Sequence, residues 1–170
     1  STFASLFDVV TECIAKDDTG QIVKFLGDGV MVFFPLEAVT NAINVAIRIQ
    51  EALDEGRRNR VFDFHCSIGI ATGRMVRAET PAGIDYFGSV VDKAARLCST
   101  GSPSAILVDS DTIDNARMLG ISSRVGVALD RNGADYKGEK QLVTLKGFSR
   151  FVQYYEIHWS RERFGVKSSA

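Results

Sequence analysis

The stretch Gln21-Ile22-Val23-Lys24-Phe25-Leu26-Gly27-Asp28-Gly29-Val30-Met31-Val32-Phe33-Phe34 carries most of the fold information in this 170-residue chain. Two β-rich runs, Gln21 to Leu26 and Val30 to Phe34, flank Gly27-Asp28-Gly29, and Asp-Gly between such runs is a strong hairpin signal. A carboxylate at a hairpin tip cannot sink into a core, so its oxygens stay available. Hard cations such as Mg²⁺ take such oxygens together with substrate phosphates. Taken alone, an ordinary Asp-Gly turn explains the same residues.

Working outward, Thr2 to Lys16 places Phe3, Leu6, Phe7, Val10 and Ile14 at helical spacing, and Asp17-Asp18-Thr19-Gly20 reads as its stop. On the other side, Val39, Ala42, Ile43, Ala46, Ile49 and Leu53 form the stripe of a helix from Glu37 to about Glu55, followed by a polar linker, Gly56 to Arg60. Val61 to Thr72 reads as a third strand, apolar enough to be central, and Gly73 to Asp85 as a looser segment. A short helix is expected over Gly88 to Ser99, a strand over Ala105 to Val108 and a capped helix over Asp109 to Leu119. Val125 to Trp159 is β-rich with a turn at Asn132-Gly133. Interleaved strands and helices predict an α/β or α+β sandwich, with helices packed on a mixed sheet, and the α+β class is the one adopted. Residues 1–160 are expected to form one domain and 161–170 a flexible tail.

The bulk numbers exclude several classes. Twenty basic and 21 acidic side chains leave a net charge of -1, so no basic field exists to hold nucleic acid or an anionic membrane. No apolar run approaches the roughly 20 residues of a membrane span. Three cysteines, Cys13, Cys66 and Cys98, lack metal or redox spacing, which points to reduced thiols and a cytoplasmic setting. His65 and Cys66 read as packing residues within an apolar strand.

A second segment carries chemistry: Asp85-Tyr86-Phe87-Gly88-Ser89-Val90-Val91-Asp92-Lys93-Ala94-Ala95-Arg96, with Asp92 and Arg96 four apart on one helix face. An exposed ion pair is the plain reading of those two. Yet Lys24 to Gly29, Ser67-Ile68-Gly69-Ile70-Ala71-Thr72-Gly73, this segment and Leu145-Lys146-Gly147-Phe148, in this order, resemble the class III adenylyl and guanylyl cyclase catalytic domain. The resemblance runs from Gly20 to Ile157. It implies a ferredoxin-like βαββαβ core and a homodimer with active sites at the interface.

By that resemblance Asp28 is a metal ligand for one of two Mg²⁺ or Mn²⁺ ions. Lys24 and Asp85 read the base of a nucleoside triphosphate, Lys146 contacts the triphosphate, and Arg96 stabilises the α-phosphate. Guanylyl cyclases usually place Glu and Cys where Lys24 and Asp85 stand, so ATP is the expected substrate and cyclic AMP the product. Two departures stand out. The family's first strand, with its metal aspartate, is expected to be missing here, and Asp92 replaces an asparagine that orients the ribose. Both leave open a catalytically silent regulatory or dimerisation domain. A pyrimidine or guanine preference is the remaining alternative.

Overall fold

The computed structural model describes residues 2–144, 146–148 and 150–167, with side chains from residue 5 onward. Leu145 of the expected Leu-Lys-Gly segment, the side chain of Phe3 and residues 168–170 of the expected tail lie outside the described residues. Helix α1 (Thr2–Asp17) is followed by the hairpin β1 (Gln21–Leu26) and β2 (Gly29–Phe33). The turn is tighter than the sequence suggested, with Gly27 and Asp28 alone at its centre and Leu26 opposite Gly29. Only the first central residue has positive φ, +59° at Gly27, a conformation that glycine reaches without a Cβ clash.

Helix α2 (Val39–Arg58) absorbs the expected linker as far as Arg58 and is buried on two sides. Ile43, Ala46 and Ile47 pack on Ile106, Val108, Ile157 and Trp159, while Val45, Ile49 and Leu53 pack on Leu6, Val10 and Ile14 of α1. Strand β3 (Ile68–Ile70) pairs in parallel with β6 (Ile106–Asp109) in a four-stranded sheet of order β3-β6-β8-β7, where β7 is Gln141–Thr144 and β8 Phe151–Glu156. The long central strand expected over 61–72 is therefore corrected to three residues at a sheet edge. Phe62 and Phe64 face each other at 4.7 Å and pack under α1 and α2. The carbonyl of Phe64 accepts from Arg57, and that of Cys66 accepts from Gln50 and the Ser104 N–H. Side chains thus satisfy part of the backbone that a neighbouring strand would otherwise have paired.

The segment expected to be loose is a second hairpin, β4 (Val76–Thr80) and β5 (Gly83–Phe87), turning at Pro81-Ala82. Proline interrupts a strand but suits the second position of a turn, and its φ preference makes the hairpin here. Helix α3 (Ser89–Thr100) follows directly. Asp109 caps α4 (Ser110–Asn115) by accepting from the Thr112 N–H at 3.0 Å. Part of the stretch read as β-rich is instead α5 (Arg124–Ala128) and a 3-10 turn over Gly133–Tyr136, which Asn132 and Asp135 close as a capping box. Residues 161–167, read from sequence as tail, fold back. Phe164 meets Tyr136 edge to face, and Arg163 binds Glu156 and the Pro103 carbonyl.

The order α1-β1-β2-α2-β3 matches the αββαβ part of the βαββαβ pattern. Among the described residues no strand pairs with the free edges of β2 and β3, and a trough of about 810 Å³ opens there under α1, α2 and α3. No helix among the described residues is long and apolar enough to cross a membrane.

Gly69 sets how closely α3 approaches the sheet, since a Cβ there would lie 2.2 Å from the Ala94 carbonyl oxygen and 2.5 Å from the Cys98 nitrogen. Both are backbone atoms that cannot swing away. Gly69→Ala is expected to lower Tm by about 5 °C, from an overpacking cost of about 1–3 kcal/mol. An unchanged melting curve by circular dichroism would show that α3 does not rest on β3 in this way.

Candidate functional site

Lys24 and Asp85, 61 residues apart, meet where the two hairpins touch. Lys24 Nζ donates to Asp85 Oδ2 at 2.8 Å. The other carboxylate oxygen accepts from the Tyr86 N–H at 2.7 Å. These bonds, Lys24 first, hold the Asp85 carboxyl below the ordinary aspartate range. Tyr86, not singled out from the sequence, fixes the approach: its buried ring stacks on Phe33 of β2 at 4.3 Å and 8°. The signal for it was the alternation along Gly83 to Phe87, legible once the segment is read as a strand.

Asp28 sits exposed in the β1–β2 turn at the mouth of the trough, and its carboxylate has no partner among the described residues. Asp92 stands exposed in the first turn of α3, where a helix N-terminus favours negative charge. Arg96 is exposed one turn further on. The Asp92–Arg96 ion pair suggested by their spacing is absent among the described residues, and neither side chain has another ion pair there. What α3 does use is Lys93, which pairs at 3.4 Å with the buried Asp109, itself bonded by Thr112 and the Thr72 N–H. Side-chain work on α3 is thus divided, with Lys93 anchoring the helix and Asp92 and Arg96 left open.

Lys146 lies in the β7–β8 connection, exposed and without an ion pair among the described residues. That connection leaves the sheet at the edge opposite β3. The structure brings Lys24 and Asp85 into contact and carries Asp85, Asp92 and Arg96 on consecutive elements, β5 and α3. No cluster of three or more His, Cys, Asp or Glu side chains forms among the described residues. The three cysteines are free thiols, and burial pushes Cys66 up to about 11, which makes it a packing residue rather than a nucleophile.

Comparison with known proteins bears on this arrangement. The uncharacterized protein Rv2212 of Mycobacterium tuberculosis is 28% identical over 153 residues, 89% of this chain and 33% of that protein. The chain thus spans about a third of the length of the curated relatives it matches. The guanylyl cyclase Cya2 superposes with a TM-score of 0.74 at 19% identity, over 99% of this chain and 84% of that one. The adenylyl cyclase CyaB from P. aeruginosa gives 0.67 at 23% identity, over 95% and 83%. At these identities the likeness carries the fold, which adenylyl and guanylyl enzymes share. The sequence itself matches the family model over residues 1–147, and the chain belongs to the adenylate and guanylate cyclase catalytic domain family.

Proposed function

We propose that this nucleotide cyclase domain is of the adenylyl type and converts ATP to 3′,5′-cyclic AMP and pyrophosphate in a homodimer. The observation that carries the reading is the Lys24–Asp85 contact, which sets a donor and an acceptor side by side. Adenine offers the complement, an N1 acceptor for Lys24 and an N6 amine for Asp85. Guanine can offer the same pair its O6 and N1–H, so GTP is the competitor that matters.

In the reaction the ribose 3′-oxygen forms a bond to the α-phosphorus as the bond to pyrophosphate breaks, and the hydroxyl proton is lost. Protein work is then positioning and charge. Arg96, whose guanidinium has no internal partner among the described residues, faces the charge gathering on the α-phosphate. Asp92 lies toward the ribose, and Lys146 holds the triphosphate. In the proposed homodimer, Lys146 and Asp28 of one site come from different copies of the chain. Leu142 and Phe151, exposed on β7 and β8, suit such a covered face. Free thiols fit a cytosolic domain.

Asp28 fits a Mg²⁺ or Mn²⁺ ion that takes one carboxylate and substrate phosphates. When bound, such an ion would acidify the 3′-hydroxyl and neutralise the phosphates. A pair of ions asks for a further carboxylate, and no cluster of metal-ligating side chains supplies it among the described residues. The second reading is a domain that binds nucleotide and does not turn it over.

The parent polypeptide, assayed with Mn²⁺ and all four ribonucleoside triphosphates, is expected to yield cyclic AMP by mass spectrometry. Asp28→Ala should abolish the product. Lys24→Glu should lower it at least about tenfold, the loss of one charge-assisted contact. Specific activity should rise with protein concentration as the dimer forms. Nucleotide binding without product at any concentration selects the silent domain, and a cyclic GMP or pyrimidine product overturns the base assignment.

Asp85 has a depressed pKa in the folded state, so its ion pair is intact above the unfolded value and is lost as pH falls through the folded one. Carbon-13 NMR of the Asp85 carboxyl should show titration below the ordinary aspartate range, moving up in Lys24→Met. An unmoved titration would mean that Lys24 does not hold Asp85 in solution.

A further inference from the structure

Helix α3 carries Arg96, and contacts of two kinds seat it on the sheet. Toward the sheet they are apolar or close-packed backbone: Val90 lies over Gly73, the Ala94 carbonyl and the Cys98 nitrogen lie over Gly69, and Leu97 packs with Ala105 and Leu107. Such contacts set the distance between helix and sheet, but dispersion is not directional and leaves roll and slide weakly set. At the C-terminal end Ser67 Oγ donates to the Cys98 carbonyl at 2.5 Å. Over residues 89–96, the only side chain among the described residues that bonds to another element is Lys93, whose Nζ donates to Asp109 Oδ2 at 3.4 Å. Arg96 follows Lys93 by three residues, on an adjoining face of the helix.

Asp109 is held as a fixed point. Its Oδ1 accepts from the Thr112 N–H at 3.0 Å, the Thr112 hydroxyl at 2.6 Å and the Thr72 N–H at 3.3 Å, which leaves Oδ2 to Lys93. One carboxylate thus joins the end of β6, the start of α4, the chain after β3 and, through Lys93, α3. The Asp109 side chain is 2% exposed and that of Lys93 22%. A buried ion pair adds little stability over a well-packed apolar pair, because desolvation offsets the attraction, whereas its hydrogen bond has a direction. We propose that Lys93 and Asp109 are positioning residues for the reaction: the pair fixes the roll of α3 and so aims the Arg96 guanidinium at the α-phosphate. The inference rests on the cyclase reading above, in which Arg96 meets that phosphate. Arg96 is exposed and has no internal partner among the described residues, so its aim depends on the helix that carries it. A small misplacement of a group that stabilises charge can lower a rate by about one to two orders of magnitude.

Lys93→Met alone would strand a buried carboxylate and act through folding. The test therefore combines Lys93→Met with Asp109→Asn, a neutral pair that removes both charges and keeps the Oδ1 acceptor for Thr112 and Thr72. The parent polypeptide carrying both changes is expected to melt cooperatively, as the unaltered one does. In turnover, its kcat should fall at least about tenfold while KM for ATP stays within about twofold, since Lys24, Asp85 and Lys146, the proposed nucleotide contacts, lie outside α3. Arg96→Ala supplies the second arm. Once Arg96 is gone, the neutral pair should lower kcat by no more than about twofold further, because residues that act through one group are not additive.

An unchanged kcat in the neutral pair, or a loss of similar size with and without Arg96, overturns the proposal and leaves the cyclase reading intact. A rise in KM alone, or loss of the melting transition, also overturns it and makes the pair a support of the fold only. Full kcat in Arg96→Ala overturns the role given to Arg96, and no cyclic nucleotide from the unaltered protein overturns the cyclase reading; the proposal falls with either.

Discussion

Two-sided burial of α2 is the constraint on which the rest of the molecule depends. One stripe, Ile43, Ala46 and Ile47, closes the core over the four-stranded sheet; the other, Val45, Ile49 and Leu53, closes the core with α1. Between the stripes the fully buried Gln50 donates to the carbonyls of Cys66, before β3, and Ala105, before β6. The Gln50 NH2 group thereby bridges the chain segments that lead into these two paired strands. The buried Glu51 reaches the other way and accepts from the Arg124 N–H at 2.7 Å, tying α5 to the same helix.

From that frame the site is assembled by two further locks. The Phe33–Tyr86 stack brings the β4–β5 hairpin against β1–β2, and the Lys93–Asp109 pair with the bare backbone of Gly69 seats α3 on the sheet. Asp109 spends its oxygens on Thr112, the Thr72 N–H and Lys93, so it holds structure and is not free to act on a ligand. The candidate-site charges without internal partners among the described residues, Asp28, Asp92, Arg96 and Lys146, are all at the surface. An unpaired charge is cheap only in water, so exposed charges can wait for a phosphate or a cation at little cost to stability.

The hairpin at Gly27-Asp28 and the helical stripes of α1 and α2 were legible because a period of 2 or 3.6 residues and a turn dipeptide are local signals. The length and place of β3 were not, because strand partners are distant in sequence and a run of alternating aromatics can pack as irregular chain when side chains bond its carbonyls. The β4–β5 hairpin was hidden by Pro81, a breaker in a strand and a fitting residue in a turn. Within the site, Lys24 and Asp85 were linked through family resemblance, whereas the Asp92–Arg96 pair, suggested by helical spacing alone, did not form.

The sequence by itself determined the α+β class, the cyclase family and which charged residues stand at turns and helix starts, since these follow from local periodicity and from motifs in order. Only the tertiary structure decided which charges pair and which stay open. Lys93, not Arg96, finds a buried carboxylate; Asp85, not Asp92, finds a lysine. Those outcomes depend on Coulomb attraction and desolvation over a few ångströms between elements up to 61 residues apart, distances that sequence spacing does not encode.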